Sequence, residues 1–416
     1  MRKVLKWIAV VLGVLVVLAI GLLVYVQLAW ARPYDRPVSE MTAPTDQATI
    51  ARGEYLYKYG WQCWGCHSQG TAGPDAPQAG GQEFDLGDVG PGFGVFYVPN
   101  ITPDPETGIG AWSDGELVRT MREGVDREGR AVFPIMGREF LKGLSDQDAL
   151  ALVAYLRSIP PVKNQATPSR PSLAAKALLT FKIVKPQPAI TQPVTAPPAG
   201  PTIEYGAYLA THGSACAECH TPVDLQSLEY FLDQLFSGGA IAMGGELEGL
   251  PAAAYPTNIT PHRETGIGDW SEEQFITAMR TGARPNGTVM LTVMPYPYYG
   301  FWTDDDLKAV YRYLMTMPAI ENQVPGPEFM PEITAGDSAS KGAALFQVYC
   351  AACHGENGAG AEPTSQALAE VAPTLDDMAL QGFIDAGIAG TWMPGFGKTL
   401  TDEQIADLLA YITTFK

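Results

Sequence analysis

The sequence predicts a mainly α-helical fold, with three tandem helical domains behind one N-terminal transmembrane helix. Three observations carry that prediction. The motif Cys-x-x-Cys-His occurs three times, at residues 63–67, 216–220 and 350–354. Residues 7–31 form a run without a single charge. Two long stretches repeat one another at a fixed displacement, as from Asn100 to Asn258.

The chain has 6 cysteines, and all fall in the three motifs: Cys63 and Cys66, Cys216 and Cys219, Cys350 and Cys353. This is the spacing for covalent haem attachment. Two thiols one helical turn apart add to the porphyrin vinyl groups, and the next imidazole stands beneath the iron. Zinc or a redox dithiol uses Cys-x-x-Cys as well. With only 5 histidines, three of them in the motifs, a second ligand pair near each motif is lacking. The reading is therefore three covalently bound haem c groups, with His67, His220 and His354 as proximal ligands.

Residues 1–31 are read as the anchor. Arg2, Lys3 and Lys6 precede the uncharged run, which as a helix spans roughly 37 Å, enough to cross a bilayer. Trp7, Tyr25 and Trp30 lie where interfacial aromatics belong. A cleaved signal peptide is the rival, and Ala29-Trp30-Ala31 offers a cleavage site. The apolar core is longer than such peptides use, which favours a retained anchor. The basic end then stays in the cytoplasm of a bacterial cell and the haem domains lie on the periplasmic side.

A tether (32–46) leads to the first domain (47–160). A Pro-rich linker (161–201) precedes the second domain (202–318), and a further linker (319–336) the third (337–416). The linkers read as semi-rigid struts without a core of their own, apart from an apolar piece at 173–184 suited to lie across a neighbouring domain. Each of the first two domains opens with an apolar helical stretch that runs into its Cys motif. The shared displacement then relates Asn100-Ile101-Thr102-Pro103 to Asn258-Ile259-Thr260-Pro261, Thr107–Gly110 to Thr265–Gly268, and Trp112 to Trp270. Ser113 with Glu116 and Ser271 with Gln274 read as capping boxes. Amphipathic helices over 145–158, 303–317 and 401–414 carry Tyr155, Tyr313 and Tyr411 at matching places.

The second iron ligand decides between electron transfer and reactivity. Histidine cannot supply it generally, since only His212 and His262 remain outside the motifs. A methionine thioether can, and it favours ferrous iron. Met136 and Met294 share the repeat register, and Met393 precedes the last helix of the third domain, so these three are the expected distal ligands. Met290 competes with Met294 from four residues away. Trp112, Trp270, Arg122 and Arg280 are candidates for haem propionates, with core or surface packing an equal alternative.

The net charge of −18 argues against nucleic acid, or an anionic membrane surface, as the main partner. The composition and motifs point to an electron-transfer protein, not itself an enzyme, with no catalytic residues and no small-molecule substrate of its own. Its partners would be the membrane and redox proteins: a dehydrogenase, a respiratory or photosynthetic complex, a terminal oxidase or a small cytochrome. The contrasting reading is a haem peroxidase with one open iron.

Gly206-Ala207-Tyr208-Leu209, Cys219-His220-Thr221-Pro222 and the Asn-Ile-Thr-Pro loop of the first two domains resemble the triheme cytochrome c subunits of membrane-bound dehydrogenases. Those include the subunits of alcohol dehydrogenase and gluconate 2-dehydrogenase. The resemblance covers about residues 50–416, and the third domain is similar to a small class I cytochrome c. It implies three tandem class I cytochrome c domains that pass electrons from a flavin or quinone cofactor to ubiquinone or an oxidase. Family members are expected to be exported with a cleavable signal and held near their C-terminus. This chain instead carries an N-terminal anchor.

Overall fold

The first helix, α1 (Arg2–Ala29), is apolar along its length, with a mean hydropathy of 3.1 over its most apolar window and that window wholly exposed. By length and composition it can cross a membrane. The computed structural model describes residues 2–68, 73–239, 243–247, 250–324, 337–355, 357–360, 367–388 and 391–415. The chain forms two compact units, Met1–Ala196 with Asp224–Tyr230, and Pro197–Val223 with Phe231–Lys416.

In the first unit, α2 (Gln47–Tyr55) starts where the Asp46 carboxylate accepts from the Thr49 amide at 3.0 Å. It runs into a π-helical turn, Leu56–Gly60, and the Cys motif follows on a separate short helix, α3 (Trp64–His67). The motif thus stands one turn beyond the first helix instead of closing it. Strands β1 (Glu83–Asp85) and β2 (Gly94–Tyr97) pair antiparallel with Phe84 opposite Phe96. Helix α4 (Asp114–Glu123) has the expected capping box of Ser113 and Glu116, and ends where Gly124 takes φ 70°. After the short α5 (Arg138–Leu141), helix α6 (Asp146–Ser158) is capped by Ser145. It crosses α2 at Gly53, where any Cβ would collide with the Ala151 carbonyl and the Tyr155 side chain. Glycine is required there because the backbones touch.

Tether and linker are both strapped to this unit. Tyr34 N–H donates to the Gly129 carbonyl at 2.7 Å, and Ala43 N–H to Asp114 at 2.8 Å. In the linker, β3 (Arg170–Pro171) adds to β2, and α7 (Leu173–Thr180) buries Ala175 and Leu179, with Val184 beyond it, against Phe93, Phe96 and Phe133. The apolar piece at 173–184 thus lies across the first unit, as its composition suggested. Burial of a side chain such as Leu179 contributes about 2 kcal/mol, enough to hold a short helix in place. Further along, Gln187 N–H donates to the Glu123 carbonyl, and Asp146 N–H to that of Val194, each at 2.8 Å.

The second unit opens with α8 (Ile203–Tyr208), a second π-helical turn at Leu209–Gly213, and the Cys motif on α9 (Cys216–His220). A hairpin of β4 (Met243–Leu247) and β5 (Leu250–Ala254) precedes α10 (Glu272–Thr281), which has the capping box of Ser271 and Gln274. Next come α11 (Tyr296–Tyr299) and α12 (Asp304–Leu314). Helix α12 crosses α8 at Gly206, against the Ala309 carbonyl and Tyr313. The remaining helices are α13 (Ser338–Tyr349), α14 (Ala351–His354), α15 (Leu368–Val371), α16 (Asp377–Ala386) and α17 (Asp402–Ile412). Here α13 crosses α17 at Gly342, against the Asp407 carbonyl and Tyr411. The three tyrosines match because each has its β-carbon on a crossing glycine.

A buried cluster joins the 289–296 stretch of this unit to its last helices. Val289, Leu291 and Tyr296 pack in a single buried cluster with Leu345, Phe346, Tyr349, Ile405 and Leu408. The Thr292 hydroxyl donates to the Val348 carbonyl at 2.9 Å and Val289 N–H to the Thr399 hydroxyl at 2.8 Å. Residues 325–336 of the expected second linker lie outside the described residues.

Candidate haem-binding sites

Each motif histidine is held by backbone. The His67 carbonyl accepts from the amide of Gly80 at 2.9 Å, that of His220 from Gly238 at 2.8 Å, and that of His354 from Gly360 at 2.8 Å. His67 Nδ1 lies 3.1 Å from the Pro99 carbonyl and His220 Nδ1 2.7 Å from that of Thr257. A carbonyl only accepts, so Nδ1 carries the proton in both rings and the Nε2 lone pair is left for a metal. Burial pushes the His67 imidazole down to about 4, against the pull of its Pro99 bond, and lowers His220 in the same way. Both rings are therefore neutral, as a ligand must be.

The acceptors immediately precede Asn100 and Asn258, which explains the repeated loop. Asn258 Nδ2 donates to Thr265 Oγ1 at 2.9 Å and to the Ile320 carbonyl at 2.7 Å, while its Oδ1 accepts from Thr260 N–H and Oγ1. Asn100 repeats this with Thr107, Val162 and Thr102. Both asparagines are buried, and their bonds hold the loop together. Sequence reasoning missed two further anchors. Asn164 Nδ2 donates to the Ala79 carbonyl and Asn322 Nδ2 to that of Ser237, beside the glycines that hold the histidines. The signal was present, since Asn164-Gln165 and Asn322-Gln323 keep the repeat displacement, but both pairs lie in segments read as linkers.

Around the second motif the side chains enclose a cavity of about 290 Å³, with Cys216, Cys219 and His220 among its lining residues, together with Trp270, Met290 and Met294. Met136 and Met294 occupy the same turn: the carbonyl of each accepts from the amide two residues on, Arg138 at 2.6 Å and Tyr296 at 2.7 Å. Met290 instead matches Val132, because these two amides donate to the capping glycines Gly282 and Gly124. The register thus gives the first domain a sulfur opposite Met294 and none opposite Met290. Met393 stands on the loop after α16, where its carbonyl accepts from Ile388 N–H at 3.2 Å.

The proposed propionate ligands divide. Trp270 lines the cavity, but Arg280 spends its guanidinium on Asp304 at 2.6 Å and on the Gly300 and Trp302 carbonyls. Arg122 makes the matching pair with Asp146 at 2.6 Å, so both arginines tie one helix end to the start of the domain's last helix.

The thiols fit haem better than metal. Burial pushes Cys350 up to about 12, with Cys353 adding to it, and Cys353 itself up to about 11; burial raises Cys216 too. These thiols are therefore protonated in the absence of a bound group. Among the described residues, no group of three or more His, Cys, Asp or Glu could hold a metal ion. Paired thiols, a neutral imidazole and a thioether at an apolar cavity are the donor set of a c-type haem.

Comparison with known proteins agrees. Residues 50–160 match the family model for cytochrome c, and residues 337–412 match that for cytochrome c oxidase, cbb3-type, subunit III. Two segments of the chain thus match cytochrome c-type family models. It is 29% identical over 388 residues to the cytochrome c subunit of the quinone alcohol dehydrogenase of Gluconobacter oxydans, covering 88% of this chain and 78% of that one. The gluconate 2-dehydrogenase cytochrome c subunit of Pantoea cypripedii is also 29% identical, over 395 residues, with 88% and 85% covered. The fructose dehydrogenase cytochrome subunit of Gluconobacter japonicus is similar at 26% identity over 419 residues, which is 91% of this chain and 81% of that relative.

Proposed function

We propose that the chain is a membrane-anchored triheme cytochrome c that transfers electrons for a flavin- or quinone-cofactor dehydrogenase. The paired residues would be His67 with Met136, His220 with Met294 and His354 with Met393, and the cysteine pairs would hold three haem c groups. The observation that carries this reading is the imidazole fixed by a backbone carbonyl, recurring in register with a methionine turn. Bound haem supplies one-electron redox chemistry. The histidines would hold the group through the ring nitrogen left free by the backbone carbonyl, the methionines would supply a thioether, and the apolar lining at the second motif would exclude water. Were the methionines to hold the metal together with the histidines, no position would be left for a substrate, which supports a carrier over a peroxidase.

The dehydrogenase partner is supported by the relatives' names, all three being cytochrome subunits of dehydrogenases. A respiratory complex, terminal oxidase or small cytochrome would serve as acceptor. We further propose that α1 is retained, with the haem domains on the periplasmic side. The test is to isolate the protein from native membranes in mild detergent and identify what accompanies it. A flavoprotein or quinoprotein that reduces all the haems on adding its substrate is the expected result. Carbon monoxide or peroxide binding to one haem of the undenatured protein would sink the pure-carrier reading, and fewer than three haems per chain would sink the triheme one.

A further inference from the structure

The linker that docks on the first unit has a second face. Ala175, Leu179 and Val184 point into the core, but Leu173, Phe181 and Ile183 remain 43%, 52% and 48% exposed. Lys182 lies between the last two at φ 58°, a left-handed conformation that favours glycine. The turn is closed by Ile183 and Val184 amides donating to the Leu178 carbonyl at 2.9 and 3.2 Å, so Phe181, Lys182 and Ile183 form an exposed tip. Charge is equally uneven. In a chain of net charge −18, residues 170–185 carry Arg170, Lys176, Lys182 and Lys185 and no acid. None of the four is in an ion pair among the described residues.

This helix touches the end of the membrane-type helix. Lys176 Nζ donates to Gln27 Oε1 at 2.8 Å and lies 5.7 Å from the centroid of the Trp30 ring. Arg32 stands over Tyr25 at 5.4 Å. Gln27 to Trp30 is the last turn of the apolar run, where headgroups would meet a bilayer-spanning helix. Apolar side chains beside lysines at that level suit an interface with anionic lipid.

We infer that α7 and the tip at 181–183 form a membrane-contact surface that binds the anionic headgroups of the bilayer crossed by α1. Phe181, Leu173 and Ile183 enter the interface and Lys176, Lys182 and Lys185 meet phosphate. The inference rests on the proposal that α1 is a retained anchor. It gives the anchor a second foot, fixing the height and tilt of the first unit above the membrane. The acidic whole-chain balance and this local basic patch then do different work.

The test uses the full-length holoprotein in vesicles of phosphatidylcholine with or without phosphatidylglycerol, labelled with an amine-reactive acetylating reagent and read by mass spectrometry. The protein should float with the vesicles. Labelling of Lys182 and Lys185 should fall about fivefold in the anionic vesicles, a factor comparable to one lysine's contribution near such a surface. Exposed Lys398 should be unchanged, and Phe181→Glu should restore labelling of Lys185. Floating protein with equal labelling in both vesicles overturns the surface while leaving the anchor intact. Failure to float overturns the anchor and the surface together. Protection in native membranes but not in lipid alone overturns it in favour of a protein partner.

Discussion

At the scale of single residues, the two looped asparagines carry more than the sequence could announce. Asn258 satisfies four groups at once, and its loss would strand the buried Thr260 amide, leaving the Thr260 hydroxyl only its bonds with Ile320. Asn258→Ala should lower stability by about 2–4 kcal/mol, measured by denaturant titration followed at the haem absorbance. Because the loop also places the Thr257 carbonyl on His220, the spectrum of one haem should change with it. For the distal side, Met294→His should lower the potential of one haem in a redox titration, while Met290→Leu should leave all of them in place. The six cysteines and three histidines were legible because haem attachment fixes their spacing in sequence. The partners of His67 and His220 were not, since a backbone carbonyl has no residue identity to read.

At the scale of elements, the crossing glycines determine whether a helix pair can form. Gly53, Gly206 and Gly342 each meet a carbonyl of the opposing helix, so Gly206→Ala must push α8 off α12. A cost of about 3 kcal/mol or more is expected, seen as an early-melting domain with loss of native haem absorbance. The caps give a pH dependence. Hydrogen bonds from Thr49 hold the Asp46 carboxyl below the usual carboxylate range, and the Ser340 amide does so for Asp337. A folded value below the unfolded one, near 3.9, means the contribution is present above that pH and is lost as pH falls through the folded value. The amide protection factors at Thr49 and Ser340, taken relative to the intrinsic exchange rate at each pH, should fall below about pH 4 and stay level between pH 5 and 7. Capping boxes were legible from two residues each. That the apolar piece at 173–184 would be covered was legible too, but its cover, Phe93, Phe96 and Phe133, was not, because those residues stand far earlier in the chain.

At the scale of the molecule, the chain gathers into two compact units, and the stretches carrying the second and third motifs share one of them. Sequence separation hid this, since the contact of Leu291 with the helix at 338–349 depends on shape and not on a motif. Unit 2 is held by a shared core and by the Thr292 and Val289 bonds, so both of its helix pairs should melt in a single calorimetric transition. Two separate transitions within residues 197–416 would refute the shared core.

That common interior bears on how pieces of this chain can be handled. A product cut before residue 337 would strip Val289, Leu291 and Tyr296 of part of their buried cluster, and one beginning there would leave the Val348 carbonyl without the Thr292 hydroxyl. Sticky, poorly secreted material is the foreseeable yield of either excision, and a linker of any length would not rescue it, because what each half lacks is its neighbour's surface.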